Sequence, residues 1–149
     1  MDKSLRTSLW KGLTAALVQA FPSLTPYKEK TKYIWPGELV FSSPDLVEGK
    51  TAFVIISADA KGRDQITVEL AWSSTGRFPE LVVRPSDVPA RNEHLLTRPQ
   101  AAVRLFSLGD PNADSRMAVT KDGIDRVIER TISELQLHGL PYLKRVRAA

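Results

Sequence analysis

The sequence predicts an α+β fold: an antiparallel sheet of about five strands with an N-terminal and a C-terminal helix packed on one face. Three observations predict it. A leucine stripe near the N terminus recurs at helical spacing, two apolar segments in the middle of the chain carry strand patterns around a short polar turn, and a second helical stripe follows near the C terminus. A chain ordered helix, strands, helix meets its own needs when both helices cover the apolar face of one sheet. At 149 residues the length fits one domain over 1–149. Folding at this size buries roughly 68–70% of the surface that the unfolded chain exposes, enough for a core without staples.

The N-terminal stripe is Leu5, Leu9, Leu13, Leu17 and Phe21, with Ala16 and Ala20 beside it. It predicts an amphipathic helix over Ser4 to Ala20, ended by Phe21-Pro22. The rival reading is a signal peptide, because Lys3, Arg6 and Lys11 precede an apolar run with a small-residue end at Val18-Gln19-Ala20. The unbroken helical period through that run, interrupted by Thr14, favours the helix. No stretch approaches the roughly 20 apolar residues of a membrane-spanning helix.

Pro22, Pro26 and Pro36 bracket Tyr27 to Trp35, where aromatics and lysines interleave, and a short edge strand is expected there. Glu38 to Ser42 is the next strand candidate, with a turn at Pro44-Asp45. Thr51 to Ala58 holds the β-branched run Val54-Ile55-Ile56 after Phe53, the pattern of a central strand buried on both faces. Gln65 to Ser73 alternates instead. Ile66, Val68, Leu70 and Trp72 point to the core, and Thr67, Glu69, Ala71 and Ser73 give the opposite face a more polar character. Gly62 in the connecting turn supplies the freedom for positive φ.

Beyond this hairpin, Leu81-Val82-Val83 reads as a further strand closed by Pro85, and 84–100 as an ordered loop with a helical turn near Asn92 to Leu96. Ala102 to Ser107 is one more strand candidate, followed by a polar loop from Gly109 to Ser115. Ile124, Val127, Ile128, Ile132 and Leu135 mark the second helix, started near Thr120 or Asp122. Gly139 should stop it in a left-handed conformation, with Pro141 just beyond.

Composition constrains function mainly by exclusion. Hydrophobic residues make up 42% and charged residues 26%, which argues against disorder, and cysteine is absent. Thiolate chemistry and disulfides are thereby excluded, and a cytoplasmic setting fits. The net charge of +4 and pI near 9.5 are mild, but the surplus is concentrated: residues 1–36 hold six basic and two acidic side chains, and 37–75 hold three basic and six acidic. A nucleophile needs a base oriented by a third group, and His94 and His138, the only histidines, lie in no such motif. His138 reads as a helix-end residue. Asp110 to Asp114 imitates the start of a calcium loop, but Ser115 replaces the turn glycine and Lys121 the bidentate glutamate, so an Asx-rich turn is the simpler reading. No phosphate-cradling glycine motif is present.

The strand Val103 to Gly109, the polar loop to Arg116, the helix from Asp122 and the ending Gly139-Leu-Pro-Tyr-Leu143 give the chain a pattern that resembles a bacterial family of domains of unknown function, the one numbered 4304. The alternating strand Ile66 to Trp72 is similar to that family's central strand. The resemblance implies a small α+β module and brings no catalytic residue or cofactor with it. Small modules of this type also serve as immunity or antitoxin partners that block a toxin by surface complementarity, which is an analogy.

The leading expectation is therefore a non-catalytic protein-interaction module rather than an enzyme. Its binding residues would be exposed aromatics and arginines, namely Tyr33, Trp35, Arg63 and Arg77, whereas Lys28, Lys30 and Lys32 motivate the alternative reading. The alternative is single-stranded nucleic-acid binding through 27–35, where bases stack on aromatics and lysines meet phosphates. Third comes an enzyme in which Glu69 and His94 converge on a pocket. A protein partner is expected, a homodimer is compatible with the polar sheet face, and no cofactor, metal or membrane is called for.

Overall fold

The structure is a computed structural model, and it describes residues 1–59, 61–81 and 93–147. Helix α1 spans Lys3–Ala20. It starts where Asp2 caps it, the Oδ1 atom accepting from the Ser4 and Leu5 backbone N–H groups at 2.6 and 3.3 Å. Leu9, Leu13 and Leu17 are fully buried, as a four-residue stripe requires. The helix ends at Phe21, whose N–H still reaches Leu17 O, before Pro22 offers no donor.

The strands are β1 (Thr25–Pro26), β2 (Leu39–Val47), β3 (Lys50–Ala58), β4 (Gln65–Ser73), β5 (Gln100–Arg104) and β6 (Arg116–Ala118). They form one antiparallel sheet in the order β1-β2-β3-β4-β5, with β6 beside the first part of β4. The register sets Ala52 opposite Trp72, Val54 opposite Leu70 and Ile56 opposite Val68. These pairs face α1 and the C-terminal helices across the main core, joined there by Phe41, Ile66, Val103, Val127, Leu135 and Leu143. The α+β architecture with both terminal helices on one face is thus as the sequence predicts.

Several local expectations need correction. The segment 27–35 is no strand: the ladder to β2 ends with the Tyr27 N–H on Val40 O, and the chain then crosses the sheet instead of following its edge. Burying Tyr27, Tyr33 and Ile34 against that face outweighs extending an edge that Pro26 already interrupts. The β2–β3 turn lies at Glu48-Gly49, not Pro44-Asp45, because Gly49 at φ 71° closes the hairpin in two residues. Pro44 sits in a shift of register between Ser43 and Val47, where no ladder N–H is needed.

Further on, β5 ends at Arg104 and the chain turns at once into the short helix α2 (Phe106–Gly109), so the strand expected to Ser107 stops earlier. The helical turn expected near Asn92 to Leu96 is a 3₁₀ turn over Glu93–Thr97. Residues 82–92 lie outside the described residues, and with them most of the strand and loop expected there.

The second helix does not stop at Gly139. Helix α3 (Ile124–Glu134) passes into a π-helical turn, Leu135–Gly139, and continues as α4 (Leu140–Lys144). Gly139 is right-handed, and it is there for closeness: a Cβ would come within 3.1 Å of Leu105 and 3.2 Å of Leu70. The Leu140 N–H bonds back to Leu135 O, a widened turn immediately before the Pro141 ring that would break an unmodified α-helix.

Candidate functional site

The face of the sheet away from the helices was expected to be polar, but most of it is covered. Phe53, Ile55, Ala71, Val40 and Ala102 form an apolar patch there, closed by Phe78 and by Tyr27, Tyr33 and Ile34. Tyr27 meets Phe53 edge-on with centroids 5.3 Å apart, and Phe53 meets Phe78 at the same distance. The 27–35 segment is therefore a strap held by its aromatics. Even Glu69 is buried on this face, opposite Arg104 in the register.

The strap and the turn after β4 enclose an open cleft of about 990 Å³. The turn is built from the run Ser73-Ser74-Thr75-Gly76. Thr75 N–H donates to Ser73 Oγ at 3.1 Å, Arg77 N–H to Thr75 Oγ1 at 3.2 Å, and Ser74 N–H to Pro99 O at 2.9 Å. These bonds fix Arg77 at the rim. Tyr27 ties the two walls together, its hydroxyl accepting from Phe78 N–H at 3.3 Å and donating to Glu29 Oε2 at 3.1 Å. Burial raises its pKa above the ordinary value, the Phe78 N–H working against that rise and the Glu29 carboxylate with it.

The structure brings three of the expected binding residues into this cleft: Lys30, Tyr33 and Arg77. Glu29 and Glu80 line it as well, so its charged lining holds two cations and two carboxylates. Lys28 lines an adjoining groove with Ile34 and Val40. Lys32 extends over the Tyr33 ring, 5.3 Å from its centroid. Trp35 is half exposed at the end of the strap, with its backbone N–H on Glu38 Oε1 at 2.7 Å, and the other Glu38 oxygen accepts from Ser57.

Arg63 does not belong to this set. It lies at the β3–β4 hairpin tip, bonding Asp59 Oδ2 at 2.6 Å, whereas the cleft lies at the Thr51–Ser73 end. Eight register pairs separate the two ends, roughly 24 Å of strand. The Lys61 N–H and the Arg63 guanidinium hold the Asp59 carboxyl below its usual range, which marks a self-satisfied turn.

Glu69 and His94 are not brought together. Glu69 is on the strap side, and the 3₁₀ turn carrying His94 inserts Leu95 and Leu96 into the core on the helix side. Asp110 and Asp114 each accept a backbone N–H two residues on, the Asx turns that their spacing implied. Among the described residues no three His, Asp or Glu side chains assemble into a metal-binding group, and no helix is long and apolar enough to cross a membrane.

Sequence reasoning missed Glu29, Glu80, Phe78 and Thr75 as cleft residues. The signal for the turn was available in its Ser-Ser-Thr-Gly run, but nothing local pairs it with a strap nearly fifty residues earlier. No family model, curated protein or solved structure matches the chain.

Proposed function

We propose that the chain is a non-catalytic protein-interaction module that receives an extended segment of a partner protein in the cleft between the strap and the 74–80 turn. The observation carrying this reading is the convergence of Lys30, Tyr33 and Arg77 with Glu29 and Glu80 in one cleft. A lining of mixed sign suits a polypeptide, which offers both charges and a backbone, better than a polyanion. The absence of cysteine supports a cytoplasmic setting, where an immunity-type inhibitor would also act.

The test is a pull-down with the wild-type chain and with Lys30→Ala/Arg77→Ala, at high salt and after nuclease treatment. A protein retained by the wild type and by Lys11→Ala, on the exposed face of α1, should be lost by the double variant. Retention by the double variant would overturn the reading.

Single-stranded nucleic-acid binding is the second reading, favoured by the exposure of Lys28, Lys30 and Lys32 along one strap with Tyr33 beneath Lys32. Oligothymidylate affinity should then fall with salt by about 0.7 log units per log unit for each phosphate contacted. A flat response would remove this alternative.

A further inference from the structure

A second cleft, of about 420 Å³, lies between the end of α2 and the π turn that leads into α4. Tyr142 lines it and is only 5% exposed, its ring packed 6.1 Å from that of Trp72. Its hydroxyl has no hydrogen-bond partner among the described residues. Such an orphan is costly to keep, and calls for an explanation in a native core. At neutral pH the phenol is protonated whether or not burial raises its pKa, and its O–H lacks an acceptor.

The polar side chains that line the cleft with it are Glu93, Ser107, His138 and Arg145. Arg145 Nη2 holds Glu93 Oε1 at 2.6 Å, and with the two side chains 54% and 70% exposed, water and other carboxylates can compete for that pair. Both charges act on the Tyr142 hydroxyl. The His138 imidazole presses on the bare backbone of Gly109, where a Cβ would come within 2.6 Å of Nε2, and only a glycine admits it so near. Widened helical turns of this kind occur often where a helix serves a binding site. Leu108, Pro111 and Leu137 supply apolar walls, and Leu137 is 65% exposed.

We infer that this cleft binds a small organic acid, whose carboxylate takes the place of Glu93 on Arg145 and accepts the Tyr142 hydroxyl, while its apolar body lies along Leu108, Pro111 and Leu137. Glu93 is then a tethered competitor. It neutralises Arg145 when the cleft is empty and must swing away when the ligand enters. Nothing in this site overlaps the strap cleft, so the inference stands apart from the reading of that surface.

Phenylacetate and hexanoate serve as probes, with their primary amides as controls, titrated into the ¹⁵N-labelled chain by NMR. The acids should give saturable shifts at Ser107 to Gly109 and at His138 to Arg145, and the amides should bind about tenfold more weakly. Tyr142→Phe should weaken the acids about tenfold without loss of thermal stability, because it removes a hydroxyl that the empty chain leaves unpaired. Glu93→Gln should tighten them severalfold, an effect in the opposite direction to damage of the fold. Absence of saturable shifts, equal affinity for acid and amide, or an affinity unmoved by Glu93→Gln would each overturn the inference.

Discussion

The two faces of one sheet are covered by different means. On the helix side, α1 and α3 lay regular stripes of Leu9, Leu13, Leu17 and Val127 onto Val54, Leu70 and Trp72. On the other side an irregular strap and a turn meet at a few aromatics. Regular helices satisfy their own backbone groups, so their side chains can be spent on packing, whereas a strap must also find partners for its backbone and leaves gaps at its margins. The gap here is the strap cleft. One face supplies stability, and the other supplies a shaped surface at a smaller cost in core.

The most demanding check on that contrast is a pair of truncations. Trp72→Ala, at the centre of the helix-side core, should cost ~4–5 kcal/mol in urea unfolding, with the Tyr142 ring and the Arg98 carbonyl both losing a partner. Phe78→Ala should cost ~3 kcal/mol or less, because the strap can settle into the space. Equal costs would mean that the strap is as rigid as the helices, and the contrast would fail.

Alkaline titration gives a smaller effect, read on the helix side at Tyr142. Tyr142 ionises near 10 when unfolded and near 12 when folded. Its contribution is therefore fully present below pH 10 and is lost as pH rises from about 10 towards 12, a change of ~2–3 kcal/mol if the group acts alone. Tyr142→Phe should flatten this segment of the stability profile measured by denaturant midpoints. A slope identical to the wild type would assign the alkaline loss to other groups.

The smallest effect should come from Arg63→Ala. Its partner Asp59 is four residues away in an exposed turn, so the unfolding midpoint should not move measurably. Partner binding should not change at all, in contrast with Arg77→Ala. A loss of binding in Arg63→Ala would extend the recognition surface to the hairpin tip and break the assignment of function to the strap side.

What could be read from the sequence follows the range of each signal. The leucines of α1 and the alternation of β4 declare their structure within a few residues, and both elements are where their patterns predict. Gly139 shows the opposite case. A glycine that ends a helix and one that lets a helix press against a strand are the same letter, and only Leu70 and Leu105, far away in sequence, decide between them. The strap failed for a similar reason: Tyr27, Tyr33 and Ile34 between lysines fit an edge strand as well as a cover, and the choice rests on Phe53 and Phe78. Of the candidate cleft, Lys30, Tyr33 and Arg77 could be singled out in the sequence as aromatics and cations, while their carboxylate neighbours and the distance of Arg63 depended on which loops share an end of the sheet.

The close crossing of α1 over α3, at Gly12 and Ile128, has a consequence for the order in which the chain can assemble. The strands β2, β3 and β4 are neighbours in sequence as well as in the sheet, so their hairpins close over short loops and can form as soon as Ser73 has been synthesised. Helix α1 is made before the sheet, yet the helix that shelters it is made after the sheet. Until then its leucine stripe can rest only on the sheet, and this interval, more than any step within the sheet, is when a ribosome-bound chain would be most exposed to aggregation.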